Sequence, residues 1–180
     1  MISQPSSPPV LLTGPARHPT DTQAAHYLVV MLHGLGADGQ DLIGLAQNFA
    51  PTLPGAVFHA PDAPFPCDMA PMGRQWFSLQ QIDPDYTNQG VEQALPSLNH
   101  FLDHHLRALN IKEDRLILMG FSQGGLMAVH CALRRRTAPA AVISFSGAFV
   151  TGHHLCHNTY SKPPILLIHG DQDNVVPLVA

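Results

Sequence analysis

Apolar residues along the chain gather into five short unbroken runs, separated by longer stretches in which they recur at helical spacing. The runs are YLVVMLH (27–33), AVFHA (56–60), RLILMG (115–120), AAVISFSG (140–147) and PILLIHG (164–170). A strand with one wet face alternates apolar and polar residues, whereas a strand covered on both faces stays apolar, so these runs predict buried parallel strands. Between them, Val91, Ala94, Leu95, Leu98, Phe101, Leu102, Leu106 and Leu109 share one face at helical spacing and predict a helix over 90–109. Weaker forms of the pattern predict helices over 38–50 and 123–136. Strands alternating with helices predict an α/β fold, a mostly parallel sheet with helices on both faces.

In such a sheet the functional groups gather at the carboxyl ends of the strands. The loops after His33, Ala60, Gly120, Ser146 and His169 are therefore expected along one edge. The proline-rich segment 61–85 is too broken for a long regular element, and an irregular excursion over that edge is expected of it.

Composition narrows the class. With 180 residues, 45% hydrophobic and 12% charged, the chain suits one domain over 1–180 with a sizeable core. Nine basic residues against 13 acidic ones give a net charge of −4, and the only basic cluster is Arg134, Arg135 and Arg136. No nucleic-acid surface is expected from so few cations, and the arginines are expected at the solvated end of a helix, where they suit its dipole. Cys67, Cys131 and Cys156 lack metal-ligand spacing and fit a reducing compartment. With no leader pattern and no apolar run of membrane-spanning length, a cytoplasmic protein without stable membrane insertion is expected. The twelve histidines are scattered, with no paired spacing, so no metal site is expected.

Three loops carry candidate chemistry. GLGADG (34–39) has the GxGxxG spacing of a dinucleotide-binding turn between strand and helix, and Asp62 ends the next apolar run as a candidate ribose partner. Gly120-Phe121-Ser122-Gln123-Gly124 is GxSxG between a strand and an apolar helix. A turn that tight strains Ser122 and lifts its hydroxyl out of the sheet, and side chains in place of the flanking glycines would clash. The Gln123 amide, at the helix start, would then face the oxygen that turns negative when Ser122 attacks an acyl carbon. HGDQDNVVP (169–177) offers two acids, Asp171 and Asp173, of which one can orient a base for the serine and the other serve as a turn former or cap.

Taken together, LHGLGADG, the WF pair within the excursion, GFSQGG and HGDQDNVVP resemble the carboxylesterase, lysophospholipase and acyl-protein thioesterase family of the α/β-hydrolase fold, from about Tyr27 to the last residue. The resemblance implies an α/β-hydrolase fold acting on carboxylic esters or thioesters without a cofactor, on a small acyl ester, a lipid or an acylated protein. It selects Asp173 as the triad acid, maps the oxyanion amides onto Leu35 and Gln123, and puts Trp76 and Phe77 at the substrate groove. The opening glycines then shape an oxyanion loop, and Asp62 becomes a turn residue.

The family's base is a histidine several tens of residues beyond the acid, whereas this sequence ends at Ala180. The expectation is a C-terminally truncated hydrolase domain, with low ester hydrolysis by the 180 residues alone. A fragment or frameshifted product is favoured over supply of the missing part by another chain, as in a homodimer, and over a pseudoenzyme. His33 and His169, each before a glycine at a strand end, are the internal candidates for a base, but their side chains are expected to point into the sheet or brace loops, and His153, His154 and His157 to lie on the solvated surface. The rivals to the hydrolase are a dinucleotide-binding oxidoreductase built on GLGADG and a non-catalytic acyl-ligand or protein-binding scaffold.

Overall fold

The computed structural model describes residues 8–19, 25–81, 83–148 and 159–176. Its main sheet has six strands: β1 (Ala16–Arg17), β2 (Tyr27–Leu32), β3 (Ala56–His59), β6 (Leu116–Phe121), β7 (Ala141–Phe145) and β8 (Ile165–Ile168). They lie in the order β1-β3-β2-β6-β7-β8, with every neighbouring pair parallel except β1 and β3. The five apolar runs are the five parallel strands.

The period of two along β2 sorts its residues between two cores. Leu28, Val30 and Leu32 join the buried faces of α3 (Pro84–Ala108) and α4 (Gln123–Arg134). Val29 and Met31 join Ala46, Leu42, Ile43 and Phe49, from α1 (Gly39–Ile43) and α2 (Ala46–Phe49). Each fully buried aliphatic side chain contributes about 1.5–3 kcal/mol, which is why β2 and β6 sit at the centre. No helix among the described residues is long and apolar enough to cross a membrane.

Five features depart from the sequence expectations. The helix expected over 38–50 is two short ones, parted at Gly44 and Leu45. α3 begins six residues earlier than its apolar stripe, because Asp83 caps it by accepting the Tyr86 N–H at 2.9 Å and Pro84 suits its first turn. The excursion is not wholly irregular, since β4 (Phe65–Pro66) pairs with β5 (Arg74–Gln75). Arg134 and Arg135 are not solvated: their side chains are only 9% and 10% exposed, Arg134 on Glu92 and His130, Arg135 on Asp103, Glu113 and Asn99. These two face acids of other elements, and pairing is what lets a cation be buried. Lastly, β8 is not buried on both faces: Ile165, Leu166, Leu167 and Ile168 are 39–54% exposed, on a strand whose only described neighbour is β7.

Candidate active site

Ser122 follows the last residue of β6 with φ 51° and ψ −118°, in a region that a residue with a side chain enters only under strain. Tertiary contacts hold it there. Its N–H donates to the Phe145 carbonyl at 2.8 Å, and its own carbonyl accepts the Gly125 N–H at 2.9 Å. The glycines are required by close backbone approach. A Cβ on Gly120 would lie 2.1 Å from the Gly124 oxygen, and one on Gly124 would lie 2.1 Å from the Leu32 oxygen. Gln123 opens α4, so its N–H has no carbonyl a turn earlier in the helix to bond.

The loop after β2 packs on this elbow. A Cβ on Gly34 would lie 3.5 Å from the Ser122 Cβ, which brings the Gly34–Leu35 peptide beside the nucleophile. Gly36 turns the loop with φ 77°, its N–H donating to the Arg74 carbonyl at 2.9 Å, while the Arg74 N–H donates to Ala37 at 2.9 Å. The start of α1, where a pyrophosphate would bind, is occupied by the chain's own acids. Asp38 accepts the Gln40 N–H and Asp62 accepts the Gly39 N–H, both at 2.8 Å. Two carboxylates there repel further negative charge, so Asp62 is a helix-capping partner, more than a turn residue, and does not fit a ribose ligand.

His33 is fully buried with both ring nitrogens engaged: Nδ1 is 2.7 Å from the Gly34 carbonyl, and Nε2 accepts the Ala63 N–H at 2.9 Å. Burial pulls its pKa below the usual imidazole value, so it is neutral and structural. Trp76 and Phe77 are buried as well. Trp76 donates its indole N–H to the His33 carbonyl at 3.0 Å, and Phe77 packs against Gly90 of α3. The carboxamide of Gln123 joins them to the elbow, accepting the Trp76 N–H at 2.8 Å and donating to the Phe77 carbonyl at 2.7 Å. Both aromatic residues therefore have a packing role under the site, the alternative that aromatics always carry against a ligand role. The loop-bracing role expected of His33 is borne out, but its partner Ala63 and the partners of the Gln123 carboxamide, 30 to 47 residues away, left no signal in the sequence.

Register aligns the strand ends: Phe121 pairs with Phe145 and Phe145 with Ile168, so Ser122, Ser146 and His169 follow one another along the carboxyl edge. Asp173 accepts the Val175 and Val176 N–H groups at 2.9 Å. The Val176 amide first, then the Val175 amide, hold its carboxyl below the usual aspartate range, with the Ser146 hydroxyl adding to them. Asp171 is exposed in the same loop. His169 Nε2 donates to the Val176 carbonyl at 2.6 Å and lies 3.6 Å from Asp173, so it braces the acid loop. Strands about 4.8 Å apart leave roughly 10 Å between the ends of β6 and β8, a gap that a serine and a carboxylate span only through a third group. His153, His154 and His157 lie outside the described residues.

Known proteins share this fold. The esterase PE8 has a crystal structure that superposes with a TM-score of 0.89 at 41% identity, over 94% of this chain and 80% of that one. The fold recurs in Arabidopsis thaliana SOBER1, with a TM-score of 0.73 at 23% identity over 87% and 79% of the two chains. The esterase YpfH of Escherichia coli (strain K12) is 28% identical over 86% of this chain, which spans 65% of that relative's length. Residues 19–180 match the phospholipase/carboxylesterase family. With the strained serine between its glycines and this match over most of its length, the chain belongs to the phospholipase/carboxylesterase family of α/β-hydrolases.

Proposed function

We propose that the protein hydrolyses carboxylic esters or thioesters through an acyl-enzyme on Ser122. The observation that carries this reading is the φ of 51° at Ser122, held between glycines whose replacement would drive a Cβ into backbone. Oγ bonds to the acyl carbon as its proton passes to an imidazole, and the carbonyl oxygen becomes negative within reach of the Leu35 and Gln123 amides. The C–O or C–S bond then breaks, the leaving group takes the proton, and water repeats the sequence to release the acid. Asp173 is the acid that orients the imidazole, a role its ionised state and position beyond β7 support. Neither His33 nor His169 is taken as the base, since His33 has both ring nitrogens engaged, by Gly34 and Ala63, and His169 gives its Nε2 proton to the Val176 carbonyl. The reading assigns the base to none of the described residues, and the chain spans 65% of the length of YpfH. Small acyl esters, lipids or acylated proteins are the substrates proposed. Cys67 and Cys131 are free thiols, which supports a reducing, cytoplasmic setting.

A fluorophosphonate probe tests the reading. Covalent labelling of Ser122 that disappears in Ser122→Ala, together with slow release of p-nitrophenol from a short ester, is expected. Labelling equal in the two proteins, or binding of a nicotinamide cofactor without labelling, overturns it.

A further inference from the structure

The two amides read as the oxyanion hole lie on different loops, and one continuous path of hydrogen bonds joins them. We propose that His33, Trp76 and the side chain of Gln123 are positioning residues that fix the Leu35 and Gln123 amides relative to each other; the inference rests on the hydrolase reading above. In a trans peptide the C=O of one residue and the N–H of the next share a plane and point in opposite directions. The Gly34 carbonyl is held 2.7 Å from the His33 Nδ1, so the direction of the Leu35 N–H is set by His33. The tautomer follows from the other side of the ring. The Ala63 N–H can only donate, at 2.9 Å to Nε2, so Nε2 carries no proton and Nδ1–H donates to Gly34.

The preceding peptide is fixed as well, because the His33 carbonyl accepts the Trp76 indole N–H at 3.0 Å while the two rings pack with centroids 5.8 Å apart. The path then runs through the Trp76 backbone. Its N–H donates to the Gln123 Oε1 at 2.8 Å, and the Gln123 Nε2 donates to the Phe77 carbonyl at 2.7 Å. One residue thus carries both an oxyanion amide on its main chain and the clamp on its side chain. Trp76 and His33 are fully buried and Gln123 is 5% exposed, so water does not compete for these bonds. Donors arranged in advance need no reorganisation as charge develops, and a displacement of about 1 Å costs on the order of 100-fold in rate.

Butylboronic acid reads this geometry without needing a histidine base. The Ser122 Oγ forms a bond to boron, its proton passes to buffer, and the tetrahedral boronate carries the negative charge into the hole. Titration of the full chain by calorimetry is expected to show binding that Ser122→Ala lacks. Trp76→Phe, which removes the indole N–H together with part of the buried ring, should weaken binding about ten-fold or more, one well-placed hydrogen bond being worth about ten-fold. His33→Leu should weaken it at least as much, while His33→Asn, able to place an N–H near the Nδ1 position, should recover most of the loss; a purely structural role would not give that recovery. Nitrogen-15 shifts of the wild-type ring at neutral pH should report a proton on Nδ1, a readout that no folding failure of a variant can obscure. Wild-type affinity in both Trp76→Phe and His33→Leu, equal losses in His33→Leu and His33→Asn, or a proton on Nε2 overturns the inference and leaves the hydrolase reading standing. A wild type that binds no better than Ser122→Ala overturns the reading and the inference with it.

Discussion

Ser122 and Asp173 stand at the ends of two strands of one sheet, with β7 between them, yet their surroundings are built in opposite ways. The serine sits where three elements meet at van der Waals limits: α4 presses on β2 and β6 so closely that a single added carbon would fall 2.1 Å from backbone oxygen. The acid loop is held by near neighbours. Asp173 bonds the amides two and three residues on, Asp171 is exposed, and a Cβ on Gly170 would meet nothing nearer than 3.9 Å. The geometry at Ser122 is therefore stored in long-range packing, while that at Asp173 is stored mainly in a local turn, with the Ser146 hydroxyl adding from the neighbouring strand end. A strained conformation persists only where its surroundings over-determine it, whereas an aspartate finds two of its donors within its own loop.

The largest effects should come from testing that contrast with matched substitutions. Gly124→Ala drives a Cβ into the Leu32 and His33 carbonyls and should cost about 3 kcal/mol or more, leaving little folded protein, whereas Gly170→Ala should stay within about 0.5 kcal/mol. Denaturant melts of the pair decide it; equal losses would erase the distinction. Next, Asp173→Asn keeps the loop's shape and removes its charge. On the proposed reading, ester turnover should fall by about 10²–10⁴, the cost of neutralising a triad acid, with the melting temperature moved by less than about 2 °C.

A smaller, pH-dependent effect sharpens the comparison. His130, buried in α4 beside Arg134, and His59, buried against His105 and His18, are each pushed down to about 4, mainly by burial. The unfolded chain protonates both near 6.5 while the folded chain resists until about 4, so stability is full above 6.5 and falls across that window. Asp173, with its depressed pKa, gives up its contribution only below the ordinary aspartate range. Melting temperature should therefore drop by several degrees between pH 7 and pH 4.5, and His59→Phe should flatten the drop. A flat profile in the wild type would mean that the histidines are hydrated. The smallest effect is expected at β8: Leu166→Lys, on an exposed apolar strand, should change stability by less than about 0.5 kcal/mol while lowering self-association in sedimentation.

What could be read in advance follows the range of the interaction. Continuous apolar runs marked all five parallel strands, and GxSxG marked the elbow, because strand burial and tight turns impose their demands on consecutive residues. Even there, β8 reads as a buried strand and is exposed, since a run of isoleucine and leucine records a preference for cover and not its presence. The burial of Arg134 and Arg135 and the tie between Gln123 and the aromatic pair were illegible for another reason. Each depends on a neighbour far along the chain: Glu92 for Arg134, Asp103 and Glu113 for Arg135, Gln123 for Trp76 and Phe77.

By itself, then, the sequence determined the sheet, the serine elbow, the acid loop and their order, since each is specified by residues adjacent in the chain. Only the tertiary structure decided that Asp62 caps the start of α1, that His33 joins the loop beside Ser122 to Ala63, and that Gln123 ties the excursion to the elbow. Those outcomes rest on hydrogen bonds between groups 23 to 47 residues apart, made once the sheet has brought the strand ends together.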